Sequence, residues 1–311
     1  PTIGGSSQLG TEISVPYYFN IAPNRDATLT LNHFSDRGQR LDGEFRFLNK
    51  YDQGQMNAEY LPDDDVTKED RKYITFTHSS SYLPRLTTKI DYRQVSDDDY
   101  FTDFGNKLST TSISHLERKA EASYRGDNWA LRASVLDFQT LEESIPDSSR
   151  PYKKLPELNF YASAPREYYY MRPEFTADYV QFKRNGRVSG GRLDIQPSLS
   201  MPFRGGPGFF IPKVALRHTA YSLEDQAAGA DDSPTRTLPI YSLDSGLVFE
   251  RDSQMGKRKS IQTLEPRLFY LNVPFEDQSN LVVNEDGSWS VFDTDNSNQS
   301  LAQLFEENRF T

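Results

Sequence analysis

Four histidines, His33, His78, His115 and His218, are the first side chains to weigh for metal or acid–base chemistry. None has a His or carboxylate partner at the spacing of a metal or catalytic site, so they read as ordinary strand residues. With no Cys the chain has no disulfide, thiolate site or Cys nucleophile. Asp and Glu number 45, which leaves any single carboxylate pair without diagnostic weight for glycoside chemistry. Asp63-Asp64-Asp65 and Asp97-Asp98-Asp99 offer the oxygen ligands that suit Ca²⁺, but neither has the spaced ligands and turn glycine of a Ca²⁺ loop. They read as solvated loops. Gly205-Gly206-Pro207-Gly208 lacks the Lys-Ser/Thr that phosphate cradling needs, and no nucleophile elbow or dinucleotide fingerprint occurs. The expectation is a protein that is not an enzyme and takes no cofactor or metal.

The elements that carry these residues are strands. Fourteen segments of about ten residues alternate apolar or aromatic with polar side chains, near 11–21, 25–34, 41–49, 55–61, 71–80, 84–95, 114–125, 128–138, 155–164, 170–183, 188–201, 208–221, 237–250 and 258–273. The clearest pair is Ala120, Ala122, Tyr124 and Trp129, Leu131, Ala133, Val135, joined through Arg125-Gly126-Asp127-Asn128, whose residues tolerate the positive φ of a tight turn. Between them stand Glu121, Ser123, Arg125, Arg132 and Ser134, a polar face that a filled soluble core would not take. A helical period survives only near Gln299 to Phe305. Loops range from the few residues at 184–187 to acidic stretches at 95–113, 222–236 and 274–299.

Composition agrees with that pattern. Hydrophobic residues make 36% of the 311, below the near half usual for a soluble globule, yet aromatics reach 13%, which excludes disorder. An outer-membrane β-barrel needs only alternate residues apolar, facing lipid, and keeps its other face polar. No stretch approaches the roughly 20 apolar residues of a membrane helix. The net charge of −10 argues against a nucleic-acid partner, which wants clustered Lys and Arg. No signal peptide stands at Pro1, as expected of a mature or truncated chain.

Prolines at 16, 197 and 266 fall inside strand-like segments, where a residue without an N–H belongs at an edge, an end or a bulge. A plain bulge and a functional weakening of strand pairing both remain open for Pro16.

Particular strings add a family resemblance. Val15-Pro16-Tyr17-Tyr18-Phe19-Asn20-Ile21-Ala22-Pro23-Asn24 with Asp26-Ala27-Thr28 resembles the stretch that opens the barrel of the LptD family of lipopolysaccharide-assembly proteins. Gly43-Glu44-Phe45-Arg46-Phe47-Leu48, Glu59-Tyr60-Leu61-Pro62-Asp63-Asp64 and Val95-Ser96-Asp97 with Tyr100-Phe101-Thr102-Asp103-Phe104 continue it in order. Val248-Phe249-Glu250-Arg251-Asp252, Thr263-Leu264-Glu265-Pro266-Arg267, Val273-Pro274-Phe275, Asp277-Gln278-Ser279 and Glu307-Asn308-Arg309-Phe310 complete it.

The resemblance implies an all-β fold, an antiparallel transmembrane β-barrel of about 26 strands in the outer membrane of a Gram-negative bacterium. Residues 1–311 would be the N-terminal part of that barrel, with a periplasmic jellyroll before and further strands after. It implies lipopolysaccharide as cargo, an LptE-like lipoprotein plug, an LptA-like periplasmic bridge and membrane lipids as partners, and a lateral gate between first and last strands. Pro16, Tyr17, Tyr18 and Asn20 would lie on the gate's first strand, with Tyr17, Tyr18 and Phe19 near a membrane interface. A second gate proline found in family members is here Leu31. Another outer-membrane pore or receptor barrel would share the alternation without these strings, and a soluble β-sandwich would need a properly apolar inner face.

Overall fold

Alternation becomes strand in each segment where the sequence predicts one. A computed structural model describes residues 1–105, 113–164, 170–226, 228–229, 231–255 and 258–275. The chain divides into two compact units, the first made of Pro1–Tyr124, Arg132–Glu157 and Lys183–Gly186, the second of the other described residues.

The first unit holds β1 (Thr2–Ser6), β2 (Gly10–Ala22), β3 (Arg25–Phe34), β4 (Gly38–Leu48), β5 (Asp52–Leu61), β6 (Arg71–Leu83), β7 (Leu86–Val95) and most of β8 (His115–Arg125). Each pairs antiparallel with the next in chain order. A short helix, α1 (Tyr100–Phe104), lies between β7 and β8. β9 (Trp129–Thr140) and β10 (Lys153–Ser163) follow.

The second unit contains β11 (Arg172–Lys183), β12 (Ser189–Ser200), the short β13 (Phe203–Gly205), β14 (Gly208–Glu224), β15 (Thr235–Leu247), β16 (Phe249–Met255), β17 (Arg258–Leu264) and β18 (Arg267–Asn272). Here β11, β12, β14, β15 and β18 pair antiparallel in that order, and β16 pairs β17.

The described residues thus hold eighteen strands where the sequence suggests fourteen. β1 escapes because Gly4-Gly5 gives no alternation to read, and β13 is too short for a period. The expected strand at 237–250 runs into two, β15 and β16, parted at Val248, and that at 258–273 is two, β17 and β18, because Pro266 lies between them rather than inside a strand. Pro16 and Pro197 do lie within strands, and neither makes a bulge. Pro16 sits opposite Thr30 in unbroken register, and the irregularity in β2 falls later, between Asn20 and Ala22. At Gln196 and Pro197 the ladder from β12 to β14 lapses, then resumes at Ser198↔Ala215 without a shift. The expected helical turn at Gln299 to Phe305, the strings beyond residue 275 and the loop at 274–299 lie outside the described residues, apart from residues 274 and 275.

Register separates two faces. Tyr17, Leu29, Gly43, Ala58 and Ile74 stand side by side across β2 to β6, as do Phe19, Ala27, Phe45, Met56 and Phe76. The large apolar members of these rows are exposed, except Phe76, which is half-buried. The opposite rows read Pro16, Thr30, Asp42, Glu59 and Tyr18, Thr28, Glu44, Asn57. That face is knitted by polar bonds: the Ser14 hydroxyl donates to Asn32 Oδ1 at 2.5 Å, Asn32 Nδ2 to Asp42 at 2.6 Å, and Gln55 to Glu44 at 3.0 Å. An exposed apolar face opposite a polar one is the inverse of a soluble protein, and a contiguous exposed apolar face of this extent needs lipid or a partner against it. No described helix is long and apolar enough to cross a membrane.

Candidate functional site

Strand β2 pairs with β3 from Glu12 to Ala22. On its other side β1 reaches no further than Thr2↔Ser14. Among the described residues, nothing pairs with residues 15–22 of β2 on the β1 side.

Backbone direction along this edge follows from one contact. The Ser35 N–H donates to the Thr11 carbonyl at 3.0 Å, so odd residues of β2 direct their N–H and C=O toward β3. Even residues face β1, and beyond Ser14 they face the open edge. The first of these is Pro16. It occupies the position where the next ladder bond after Ser14 would form, and it has no N–H to give. Tyr18 and Asn20 present the next donors on the same edge.

Side chains alternate with the same parity. Tyr17 and Phe19 share the apolar face, their rings edge-to-face at 4.6 Å. Tyr18 does not join them there, because one step along a strand reverses the face. Its hydroxyl donates to Asp26 Oδ2 at 3.2 Å, and Asp26 also accepts two bonds from Arg46 at 2.8 Å. Leu31, at the expected second proline position, faces Val15.

At the end of β2 where the chain enters it, residues 35–37, 62–70 and the α1 segment meet in a buried charge network. Arg37 reaches Asp64 at 3.0 Å and Asp103 at 2.8 Å. Arg71, with 2% of its side chain exposed, meets Asp64 at 3.2 Å and Asp103 at 2.9 Å and forks onto both oxygens of Asp97 at 2.6 and 2.7 Å. Arg37, Arg40 and Arg71 all stack on the Phe104 ring, 5.2 to 5.6 Å from its centroid. Tyr100 donates to Glu59 at 2.7 Å, and burial, then the Glu59 charge, raises its hydroxyl pKa.

This corrects the reading of the Asp triplets as solvated loops at two positions, since Asp64 is fully buried and Asp97 is forked by Arg71, while Asp63, Asp65 and Asp99 are exposed. Asp98 differs. Burial, followed by repulsion from Glu143, Asp97 and Asp99, raises its carboxyl above the usual range.

The histidines stay apart from one another: His115 and His218 contact Thr140 and Thr237 through Nδ1 at 3.1 and 2.8 Å, and His78 stacks near Phe76 and has the Asp52 carboxylate 3.8 Å from its Nε2, a partner the sequence does not announce. His33 pairs with Ile13 and Gln39 in the ladders of β3.

A family model described as LptD, LPS transport system D, matches residues 69–311. The chain belongs to the LptD family. The LPS-assembly protein LptD of Nitrosococcus oceani is 41% identical over 313 residues, covering 100% of this chain and 41% of that protein. Those of Aromatoleum aromaticum and Alkalilimnicola ehrlichii are each 39% identical over 100% of the chain, which spans 38% and 40% of them. The chain therefore spans about two fifths of the length of these relatives. Among solved structures, a bacterial polysaccharide outer membrane secretin gives a TM-score of 0.32 at 8% identity, covering 86% of this chain and 92% of that one, too low for argument.

LptD membership accounts for the all-β antiparallel fold as that of an outer-membrane β-barrel. It also fits the apolar and polar faces of the sheet.

Proposed function

We propose that this chain is the part of an LptD-family outer-membrane translocon that carries one side of a lateral exit for lipopolysaccharide. The observation that supports this most is Pro16, which lies in β2 in unbroken register with β3 and withholds a donor from the side of the strand that faces away from β3. In the whole protein a closing strand would pair with Tyr18 and Asn20 and find no donor at Pro16. Each missing bond lowers the closing free energy by about 0.5 to 1.5 kcal/mol, which makes transient separation easier without abolishing closure.

The roles then divide by face. Tyr17 and Phe19 meet acyl chains at the exit. Tyr18 and Asn20 border the polar interior through which the sugar portion moves. An LptE-like lipoprotein plug would occupy that interior, and an LptA-like bridge would deliver cargo through a domain outside residues 1–311. No covalent chemistry is asked of any residue.

Pro16→Ala in the full-length protein restores the donor. Lipopolysaccharide export is expected to fall, seen as less newly exported lipopolysaccharide at the cell surface and altered sensitivity to large antibiotics. Unchanged export together with unchanged sensitivity would overturn the assignment.

A further inference from the structure

Strands β7 and β8 stop pairing before β7 ends. Their ladder runs from Leu86↔Tyr124 to Asp91↔Lys119, and Tyr92 to Val95 lie beyond it. The Ser96 N–H donates to the Lys72 carbonyl of β6 at 2.8 Å, so Arg93 and Val95, of opposite parity, turn their backbone groups toward β8. At Val95 a side chain takes them up. The Val95 N–H donates to Gln139 Oε1 at 3.2 Å, and Gln139 Nε2 donates back to the Val95 carbonyl at 3.0 Å. One carboxamide thus makes both hydrogen bonds of a ladder pair, and it comes from β9, the strand beyond β8. Arg118 of β8 adds a second staple, its guanidinium donating to the Arg93 carbonyl at 3.1 Å and to Gln139 Oε1 at 2.8 Å.

The two sides of this seam carry like charge. Asp97, Asp98 and Asp99 follow β7, Glu142 and Glu143 follow β9, and all five line one cavity of about 890 Å³. β9 stays with β8, tied to it by the Leu141 N–H on the Ser114 carbonyl at 2.9 Å and by His115 on Thr140 at 3.1 Å. Cations offset part of the charge: Arg71 forks onto Asp97, and Arg150, itself 2.8 Å from Asp147, acts on Asp98. Glu142 accepts from the Ser114 and Ser144 hydroxyls. Among the charges acting on Asp98, that of Glu143 on the opposite side repels most, ahead of Asp97 and Asp99. An apolar cluster of Val95, Tyr100, Phe101, Leu116 and Leu141 spans the seam and opposes the repulsion.

We infer that the β7–β8 seam is a charge-loaded clasp: Gln139 and Arg118 hold it shut, ionised Asp98 and Glu143 push it apart, and protonation tightens it. It stands whether or not the exit lies along β2. Gln139 is a positioning residue, acting through the backbone of Val95. Each staple must keep a long side chain ordered as well as make its bonds, so the seam opens locally before the ladders beside it. Burial, then Glu143, raises the Asp98 carboxyl, so its proton returns at a higher pH than that of an ordinary aspartate. The repulsion therefore fades as pH falls through that raised value.

Hydrogen exchange on the full-length, membrane-assembled protein tests this, with rates corrected for the intrinsic pH dependence of exchange. The Val95 amide reads the clasp, and the Asp91 amide, facing β8 by the same parity, reads the regular ladder. In the parent, Val95 protection should rise as pH falls from about 7 to about 4 while Asp91 protection holds. Asp98→Asn should raise Val95 protection severalfold at pH 7 and flatten its pH profile. Gln139→Ala should speed Val95 exchange about tenfold or more and leave Asp91 unchanged. Unchanged Val95 exchange in Gln139→Ala would discard the clasp. Equal loss of protection along β6 to β8 in that variant would also discard it, in favour of a purely structural role. A flat profile in the parent, or the parent's profile in Asp98→Asn, would discard the charge that loads it.

Discussion

At the scale of single residues, two acidic triplets that look alike in sequence do opposite things. Asp64 is buried between two guanidinium groups, while Asp98 is crowded by carboxylates. Its raised pKa means that the ionised form is disfavoured in the folded state. The resulting penalty is full above the folded value, fades as pH falls through it, and is gone below the unfolded value, about pH 4 for Asp. Asp98→Asn should therefore raise the melting temperature at pH 7, with the gain vanishing near pH 4. An equal gain at both pH values would show that repulsion is not the cause. The arginines of the network escape sequence reading for a physical reason. Arg37 lies 27 residues from Asp64, and Arg71 lies 26 from Asp97 and 32 from Asp103, so no local spacing announces the partners. Pro16 was legible because a missing donor is a property of the residue itself. The direction of its nitrogen was not, since that depends on the parity of pairing with β3.

At the scale of elements, alternation located most strands because each needs only its own residues to show a period of two. It failed where a strand has little side chain to display, as in β1, or where a neighbour decides its end, as at Pro266. Helix α1 was likewise invisible, being one turn long. Its position is fixed by Tyr100 and Phe101 packing with Val95, Leu116 and Leu141, which form a small buried apolar cluster in the first unit. Phe101 is 6% exposed, and its ring meets Tyr73 edge-on at 5.2 Å. Phe101→Ala should cost about 3 to 5 kcal/mol if that site behaves like other aromatic truncations. Protease accessibility of the segment after β7 and hydrogen exchange at Asp103 and Gly105 report it, since both amides bond within α1. Unchanged protection at these amides would mean that the charge network alone holds the helix.

At the scale of the molecule, the ordering of faces decides what the sheet can be placed in. Leu29 and Thr28 are adjacent in β3, yet Leu29 lies in the row of Tyr17 and Ala58's neighbour Gly43, and Thr28 in the row of Tyr18 and Glu44. If the apolar face meets lipid, Leu29→Lys carries a charge into hydrocarbon. The cost is about 2 to 4 kcal/mol near the bilayer midplane and falls to about 0 to 1 near the interfaces. Thr28→Lys puts the same ammonium beside Glu44 on the polar side, where water and a carboxylate accept it. The two variants differ in charge by the same amount and in position by one residue, so a difference between them reports the face and nothing else. Leu29→Lys should lower the yield of heat-modifiable, folded full-length protein in bilayers, and Thr28→Lys should leave it near that of the parent. Equal tolerance of both would mean that the apolar face is covered by protein rather than lipid, and the exit along β2 would then have no membrane to open into.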